Sequence, residues 1–192
     1  DVEALVGRVD DPAWIPTAAD AVAIRDHIAS FLQADPRRAS DIATRLLHAV
    51  QKHAASPPAA IAIAWRAKAE SLLFGGAYKA AASAYEKASA FAEASRDDRL
   101  LGQILVGRIG TLLVMGGSSP VRSLVRRAET LLQRSGDQDY LLRLHINLGS
   151  GHYHRERYAE AHRSYREALN LKEAAGERDA LWANLTLNYG IA

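Results

Sequence analysis

The stretches YKAAASAYEKA (Tyr78–Ala88) and YAEAHRSYREA (Tyr158–Ala168) are two versions of one helix within a chain of 192 residues. Both have tyrosine or alanine at the same four positions, and the second begins 80 residues after the first. Spacings of three, four and three place the four residues on one face of an α-helix. The chain therefore contains the same packing surface twice. The shared residues are Tyr78, Ala81, Tyr85 and Ala88 in the first copy and Tyr158, Ala161, Tyr165 and Ala168 in the second.

A period of 40 residues relates these copies to the rest of the chain. Three turn segments are chemically alike, with a small residue or glycine followed by charged residues and aspartate: SRDD at 95–98, SGDQD at 135–139 and GERD at 176–179. Between the breaks, apolar residues recur every three to four positions over segments typical of helices joined by short turns. The pattern predicts stacked helical hairpins. Ile61, Leu101, Leu141 and Leu181 keep the register, at intervals of 40.

These residues resemble the tetratricopeptide repeat family, whose consensus is Trp-x2-Leu-Gly-x2-Tyr followed by Ala-x3-Phe. The resemblance implies an all-α, right-handed superhelical solenoid of antiparallel helical hairpins. The period of 40 departs from the family's usual 34 and is similar to that of kinesin light chains and of arrays in bacterial signalling and regulatory proteins. HEAT repeats are the alternative at this period. The matching positions are Trp65, Lys68, Ala69 and Leu72 with Ala81 and Tyr85, and His145, Leu148, Gly149 and His152 with Ala161 and Tyr165.

The repeats divide the chain into two predicted regions. Residues 1–58 form an N-terminal segment with a degenerate hairpin, whose first helix begins at Thr17, with Asp20 completing a capping pattern. Residues 59–192 form the array, with repeats at 62–101, 102–141 and 142–181 and a partial repeat at 182–192. The chain lacks an initial Met and ends within a repeat, so we expect it to be a piece of a longer protein.

The midpoint between the two copies, SSPVRSLVRRA at 118–128, keeps the register and loses the aromatic residues. Ser118, Val121 and Val125 stand where the copies have tyrosine, alanine and tyrosine, and Ala128 alone is shared. Pro120 is expected in the first turn of the second helix, where its missing N–H is harmless. We favour a drifted repeat that still packs. The alternative is a weak point where the superhelix bends.

Composition excludes several classes of function. There are 24 basic and 22 acidic residues, so the net charge of +2 is too small to predict a nucleic-acid partner. The chain has no cysteine, which excludes thiolate metal sites and cysteine nucleophiles. No apolar stretch is long enough to span a membrane, and the N-terminus does not resemble a signal peptide. We therefore expect a cytoplasmic protein without membrane or nucleic-acid contacts.

Candidate catalytic and metal-binding residues do not form a site in the sequence. The segment GGSSP at 116–120 lacks the residues of a phosphate loop or a nucleophile elbow, so no enzyme activity and no cofactor are predicted. A basic run on one second helix is expected to be a solvated face paired with acidic neighbours. Histidines 145, 152, 154 and 162 are expected to be structural and not metal ligands, and the basic run comprises Arg122, Arg126, Arg127 and Arg134.

The resemblance implies that the first helix of each repeat lines a concave groove that binds a peptide or partner protein. Alternatively, the array serves as a sensor or autoinhibitory module for an effector domain outside this segment, such as a signalling ATPase, a transcription regulator or a caspase-like peptidase. Self-association through an apolar edge at Trp182, Leu185 and Tyr189 is a third hypothesis. The groove positions carried over are Arg66, Glu70, Phe74, Gln103, Val106, Arg143, Ile146, Asn147, Ser150, Tyr153 and His154.

Overall fold

The fold is a stack of antiparallel helical hairpins. The computed structural model describes residues 1–117 and 121–191, and the regular secondary structure within these ranges is entirely α-helical. The predicted fold class is therefore confirmed. The helices are α1 (Val2–Arg8), α2 (Ala18–Ala29), α3 (Pro36–Lys52), α4 (Pro58–Phe74), α5 (Tyr78–Ser95), α6 (Asp98–Val114), α7 (Val121–Ser135), α8 (Gln138–Tyr153), α9 (Tyr158–Ala174) and α10 (Ala180–Ile191).

The first helices form the inner layer of the stack. Helices α2, α4, α6 and α8 pack along one another in that order, whereas α3, α5, α7 and α9 pack mainly against first helices. Close approach of one layer and wider spacing of the other curves the array, with the first helices on the concave side. Helix α1 packs on α2 and was not predicted from the sequence.

The 40-residue period is visible in the backbone of the turns. Each of the turns after α4, α6 and α8 contains a residue with positive φ, and these residues lie 40 apart. Each of the turns after α5, α7 and α9 also contains a residue with positive φ, and these residues form a second set with the same spacing. Only glycine adopts this conformation without steric cost, yet two of the six positions have another residue. The positions are Gly76, Gly116 and Glu156 in the first set and Arg96, Gly136 and Gly176 in the second.

Aspartate caps set the start of each new hairpin. The Asp97 carboxylate accepts a hydrogen bond from the Leu100 N–H at 2.9 Å, and the Asp137 carboxylate accepts one from the Tyr140 N–H at 3.2 Å. The third cap comes two residues later than the period requires, at Asp179. Helix α2 begins at the predicted capping box, in which Thr17 and Asp20 bond each other's backbone N–H.

Contacts between tyrosine rings and glycines set the distance between helices. A Cβ on Gly149 of α8 would lie 2.5 Å from the ring of Tyr165 on α9, within one hairpin. A Cβ on Gly107 of α6 would lie 2.5 Å from the ring of Tyr85 on α5, between two hairpins. Each tyrosine therefore fills the space of an absent side chain and lets two helices approach closely. Ala69, Ala81, Ala88, Leu148, Ala161 and Ala168 are also buried, and Trp65 is half-buried.

The first tyrosine of each copy does not take part in this packing. Tyr78 and Tyr158 are the first residues of α5 and α9, and both are exposed. The expectation that all four shared residues face the interior is therefore wrong for this position. A helix's first residue lies beyond the neighbouring helices, so the periodicity that aligns it with the buried face does not bury it.

In the midpoint repeat, the larger side chain of this packing contact is on the first helix and the smaller one is on the second. In the period of 40, Val125 corresponds to Tyr165, and Ile109 corresponds to Gly149. The smaller residue on the second helix thus accompanies a larger one on the first, and Ile109 is fully buried. Helix α7 also buries Val121 and Ala128, which confirms the drifted but packed repeat. The expectations for Ser118 and Pro120 lie outside the described residues.

The C-terminal hairpin has a smaller core of its own. Leu185 of α10 is 1% exposed and joins Ala161, Tyr165 and Ala168 in a separate apolar cluster. The prediction that Leu185 belongs to an exposed edge is therefore wrong, because α10 turns this side chain toward α9. The exposed apolar residues of α10 are instead Leu181, Leu187 and Ile191.

Gly149→Ala is expected to lower the free energy of unfolding by about 1–3 kcal/mol, because the new methyl group overlaps the buried Tyr165 ring. Urea unfolding followed by circular dichroism measures this change. Gly190→Ala is the control, since nothing lies within 4 Å of a Cβ there and alanine favours a helix. Equal stability of Gly149→Ala and wild type would contradict the packing scheme.

The isoleucine and valine of the midpoint repeat can be introduced at the corresponding positions of the last repeat, Gly149 and Tyr165. Gly149→Ile and Tyr165→Val should each destabilise the chain, the first by overlap and the second by leaving a cavity. The double variant reproduces the Ile109 and Val125 pair, so we expect a favourable coupling of about 1 kcal/mol or more in a double-mutant cycle. Strict additivity of the two single changes would argue against compensation.

Candidate functional site

The concave side carries a groove formed by two adjoining clefts. The first, of about 390 Å³, is lined by residues of α2, α4, α6 and α8. The second, of about 470 Å³, lies between the C-terminal ends of α6 and α8. Asn147 lines both clefts, so they adjoin at this residue. We call the two clefts together the groove.

A buried ion network forms the floor of the first cleft. Nε and Nη2 of Arg25 donate to the two carboxylate oxygens of Glu70, at 2.8 and 2.7 Å. Nε of Arg66 donates to the same carboxylate at 2.9 Å. Arg66 and Glu70 were predicted as exposed ligand-binding residues, but both are buried. Their charges are satisfied by each other and by Arg25, so they support the groove and do not present free groups to a ligand.

The network determines the charge states of its members. Burial alone would raise the pKa of Glu70, but Arg66 and Arg25 more than offset this and the pKa lies below its ordinary value. Burial would likewise lower the pKa of Arg25, yet the contacts with Glu70 raise it. The cleft floor therefore contains two cations and one anion at neutral pH.

The network continues across α6 to the start of α8. Nη1 of Arg66 donates to the Gln103 side-chain oxygen at 2.8 Å, and Nη2 donates to the hydroxyl of Tyr140. The Gln103 amide donates to Asp137 at 2.7 Å, and Arg99 donates to the same oxygen at 2.8 Å. Polar contacts thus connect all four first helices, and they reach the residue that caps α8.

Asp137 is the terminal anion of this chain of contacts. Its side chain is almost fully buried, and its second oxygen caps α8. Burial would raise the pKa of Asp137, but the hydrogen bonds from Gln103 and Arg99 lower it. The carboxylate therefore stays ionised and links the cap of one hairpin to the first helix of the preceding one.

Exposed side chains, two of them apolar, recur along the groove with the period of the repeats. Phe74, Val114 and His154 lie 40 residues apart, at the C-terminal ends of α4, α6 and α8. Phe74 is 47% and Val114 62% exposed, so both are available for contact. Tyr153, beside them, stacks edge-on against Tyr158 with ring centroids 5.7 Å apart. This row borders the groove on one side.

Asn147 has a free carboxamide at the junction of the two clefts. Its side chain makes no hydrogen bond with any residue that the structure describes, although it is only half exposed. Gly110 lies opposite, where a Cβ would come within 3.1 Å of the amide nitrogen. The absence of a side chain at Gly110 therefore leaves the Asn147 amide accessible from the groove.

The other predicted groove residues differ in exposure. Val106 is buried, and Ile146 packs against the C-terminal apolar cluster, so neither offers much surface. Ser150 shares a hydrogen bond of 3.2 Å with the Tyr165 hydroxyl. Arg143 is exposed and lies over the Tyr140 ring.

Two polar network residues of the first cleft, Arg25 and Tyr140, were not predicted. Arg25 lies in the degenerate N-terminal hairpin, which carries no motif that would have marked it. Tyr140 lies at the start of α8, ahead of the consensus positions. Neither could be found from the repeat pattern, because their roles depend on helices that meet only in the folded stack.

The histidines do not form a metal site in the described part of the chain, where no three His, Asp or Glu side chains converge. Burial lowers the pKa of His145. Burial and the neighbouring Arg157 lower that of His152. His162 stacks on Tyr189 with ring centroids 3.9 Å apart. Within the described residues, no helix is long and apolar enough to cross a membrane.

Comparisons with known proteins support the fold and leave the function open. No family model matches the chain, and no curated protein matches it. Solved structures similar to the chain include the following two. Aspartyl phosphate phosphatase F from Bacillus subtilis has a TM-score of 0.72 and 17% identity over 91% of this chain. BtubC (BKLC) from P. vanneervenii has a TM-score of 0.73 and 15% identity over 99% of this chain and 82% of its own.

These likenesses show a shared helical-repeat fold. The chain covers 45% of the phosphatase structure, so it spans less than half of that protein's length. Identities of 15% and 17% are too low to carry an activity from one protein to another. The function therefore has to be argued from the groove itself.

Glu70→Gln is expected to lower the free energy of unfolding by about 3–5 kcal/mol at pH 7, because it leaves the buried Arg66 guanidinium without a counterion and leaves Arg25 with only the exposed Asp26. The folded-state pKa of Glu70 is depressed, so its contribution is present above the unfolded pKa and is lost as pH falls through the folded value. The difference between wild type and variant should therefore shrink toward pH 2 in urea titrations.

The matched control is Asp26→Asn, which removes the other carboxylate bonded to Arg25. The Asp26 side chain is mostly exposed, so this change should cost no more than about 1 kcal/mol. Asp137 is present in both proteins, and its own titration cancels in the comparison. A gap between wild type and Glu70→Gln that is the same at pH 7 and pH 3 would contradict the assigned ion network.

Proposed function

We propose that the chain is a protein-binding scaffold whose groove holds an extended peptide segment of a partner protein. The observation that carries this proposal is the Asn147 carboxamide, which is accessible and without a protein partner where the two clefts join. A carboxamide donates and accepts hydrogen bonds at once, which suits the alternating N–H and C=O groups of an extended backbone.

The charge of the groove indicates the kind of peptide. Glu70 is the only acidic residue lining either cleft in the described part of the chain, and two arginines neutralise it. Arg143 in the first cleft and Arg155 in the second have no acidic partner in that part of the chain. The exposed side chains of Phe74 and Val114 supply apolar contacts. A segment with apolar residues and at least one carboxylate fits this surface best.

The fold supports the same proposal. First helices of a curved repeat array present a long concave surface, and the polar network holds these helices together without using the exposed groups. Rigid support lowers the entropic cost of binding, since the groove does not have to be ordered by the ligand. We propose that the array acts by binding, with no chemistry of its own. Its membership of the tetratricopeptide family, in a form with 40-residue repeats, belongs to this proposal.

A selection experiment tests the groove directly. Random linear peptides of twelve residues displayed on phage are selected on the immobilised chain, and the enriched peptides are synthesised for fluorescence anisotropy. We expect enrichment of sequences combining apolar and acidic residues. Phe74→Ala, Val114→Asp and Asn147→Ala should each weaken their binding at least tenfold, because these side chains lie on the groove surface.

Tyr78→Ala is the matched control. Tyr78 is an exposed aromatic residue like Phe74, at 42% and 47%, but it lines neither cleft. Its removal should leave the affinity within a factor of two. Selected peptides that bind all three groove variants as tightly as wild type would refute the groove as the binding surface.

A further inference from the structure

A further cavity adjoins the groove at the edge where first helices turn into second helices, and it shares Leu113 and Arg155 with the second cleft. It has a volume of about 250 Å³ and is formed by the end of α6, the start of α7, and the end of α8 with the turn that follows. Its floor is apolar and its rim is basic. The floor residues are Leu113, Val121, Val125 and Leu148, and the rim residues are Arg122, Arg126, His152, Arg155 and Arg157.

Most of the positive charge on this rim is not neutralised. Arg122 and Arg126 have no acidic partner in the residues that the structure describes. Arg155 donates to the backbone carbonyls of Leu113 and Gly117 at 3.0 and 3.2 Å, which fixes the side chain but leaves its charge. Among the rim arginines, Arg157 is the one paired in this part of the chain, with Glu160.

The same helix shows that pairing is the normal outcome for its other arginines. Arg127 of α7 forms an ion pair with Glu93 on α5, and Arg134 forms one with Asp98 at the start of α6. This confirms the predicted acidic pairing for that half of the basic run. Arg122 and Arg126 are exposed, which agrees with the predicted solvated face, and both line the cavity without an acidic partner among the described residues. Unpaired charge thus occurs where a cavity is available to receive a ligand.

His152 adds a polar group at the wall. Its Nδ1 atom is buried and has no hydrogen-bond partner among the described residues. A buried ring nitrogen without a partner is costly, so a group that bonds to it is favoured. Burial and Arg157, followed by other nearby arginines, lower the pKa of His152, which agrees with a positive environment.

The preceding repeat provides an internal comparison. Forty residues earlier, the positions of Val125 and Arg126 hold Tyr85 and Glu86, and Glu86 pairs with Arg108. The positions of His152, Arg155 and Arg157 hold Leu112, Met115 and Gly117. Neither the basic rim nor the small residue at the floor is therefore required by the repeat architecture. They are particular to the junction of α7 with α8.

We propose that this cavity binds a small organic anion, with its phosphate or carboxylate head held by Arg122, Arg126 and His152 and its apolar body on the floor. Guanidinium groups bind oxyanions through charged, often bidentate hydrogen bonds. The cavity volume suits a body of about one aromatic ring, since it lies just below the usual range for drug-sized ligands. The proposed head-group residues Arg122, Arg126 and His152 line neither cleft of the groove, so the anion site does not depend on the proposed peptide binding.

Isothermal titration calorimetry with three probes tests the proposal: phenyl phosphate, benzoate and inorganic phosphate. Phenyl phosphate or benzoate should bind at least tenfold more tightly than inorganic phosphate, because the floor adds apolar contact. Whichever of these two compounds binds more tightly shows whether the site prefers a phosphate or a carboxylate head group. Saturation should also shift the His152 ring resonances in NMR spectra. Equal affinity for inorganic phosphate and both ring compounds would overturn the organic-anion assignment.

Double variants of two arginine pairs on α7 distinguish binding in the cavity from general electrostatic attraction. Arg122→Ala with Arg126→Ala should weaken the tighter probe at least tenfold, and Arg127→Ala with Arg134→Ala should change it by less than twofold. Both double variants remove two exposed cations from α7, so their net charges are identical. Circular dichroism confirms that each stays folded. Equal losses in both variants, or no loss in the first, would refute the site.

Discussion

The contact between a tyrosine ring and a helix position without a side chain is the constraint on which this structure depends. A ring such as that of Tyr165 fills a gap between two backbones only if the facing residue is as small as Gly149. The same contact recurs between Tyr85 and Gly107, where it joins two hairpins. Because such contacts tolerate little change in volume, they determine how closely neighbouring helices lie. The curvature of the stack, and hence the groove, follows from these distances.

Close packing of the first helices makes the buried ion network possible and also requires it. Arg66 and Glu70 are excluded from water once α2, α4 and α6 meet, so their charges must be satisfied inside the protein. Arg25 and Gln103 supply the missing partners from the adjacent hairpins. A network of this kind fixes the register of one hairpin against the next, since a shift would leave a charge unpaired. The residues of the groove floor thus stabilise the stack, and the exposed residues above them are the ones available to contact a ligand.

The repeats are alike in their interior and differ at their surfaces. The midpoint repeat has Val125 in place of one tyrosine and the buried Ile109 in place of the glycine, so the larger side chain is on the other helix. On the surface the same stretch carries Arg122 and Arg126 where its neighbour has Ala82 and Glu86. Interior compensation preserves the stack, and surface divergence is free to create binding sites particular to one junction.

The sequence by itself determined the helices after α1, their breaks and the 40-residue period, because capping aspartates, turn glycines and apolar spacing act over a few neighbouring residues. It also identified Tyr85, Tyr165 and Gly149 as packing residues. Only the tertiary structure decided that Arg66 is buried and that Arg25 binds Glu70, 45 residues away. It likewise decided which arginines of α7 face a cavity. The physical reason is that burial and ion pairing depend on which helices meet, and periodicity within one helix does not specify its neighbours' side chains.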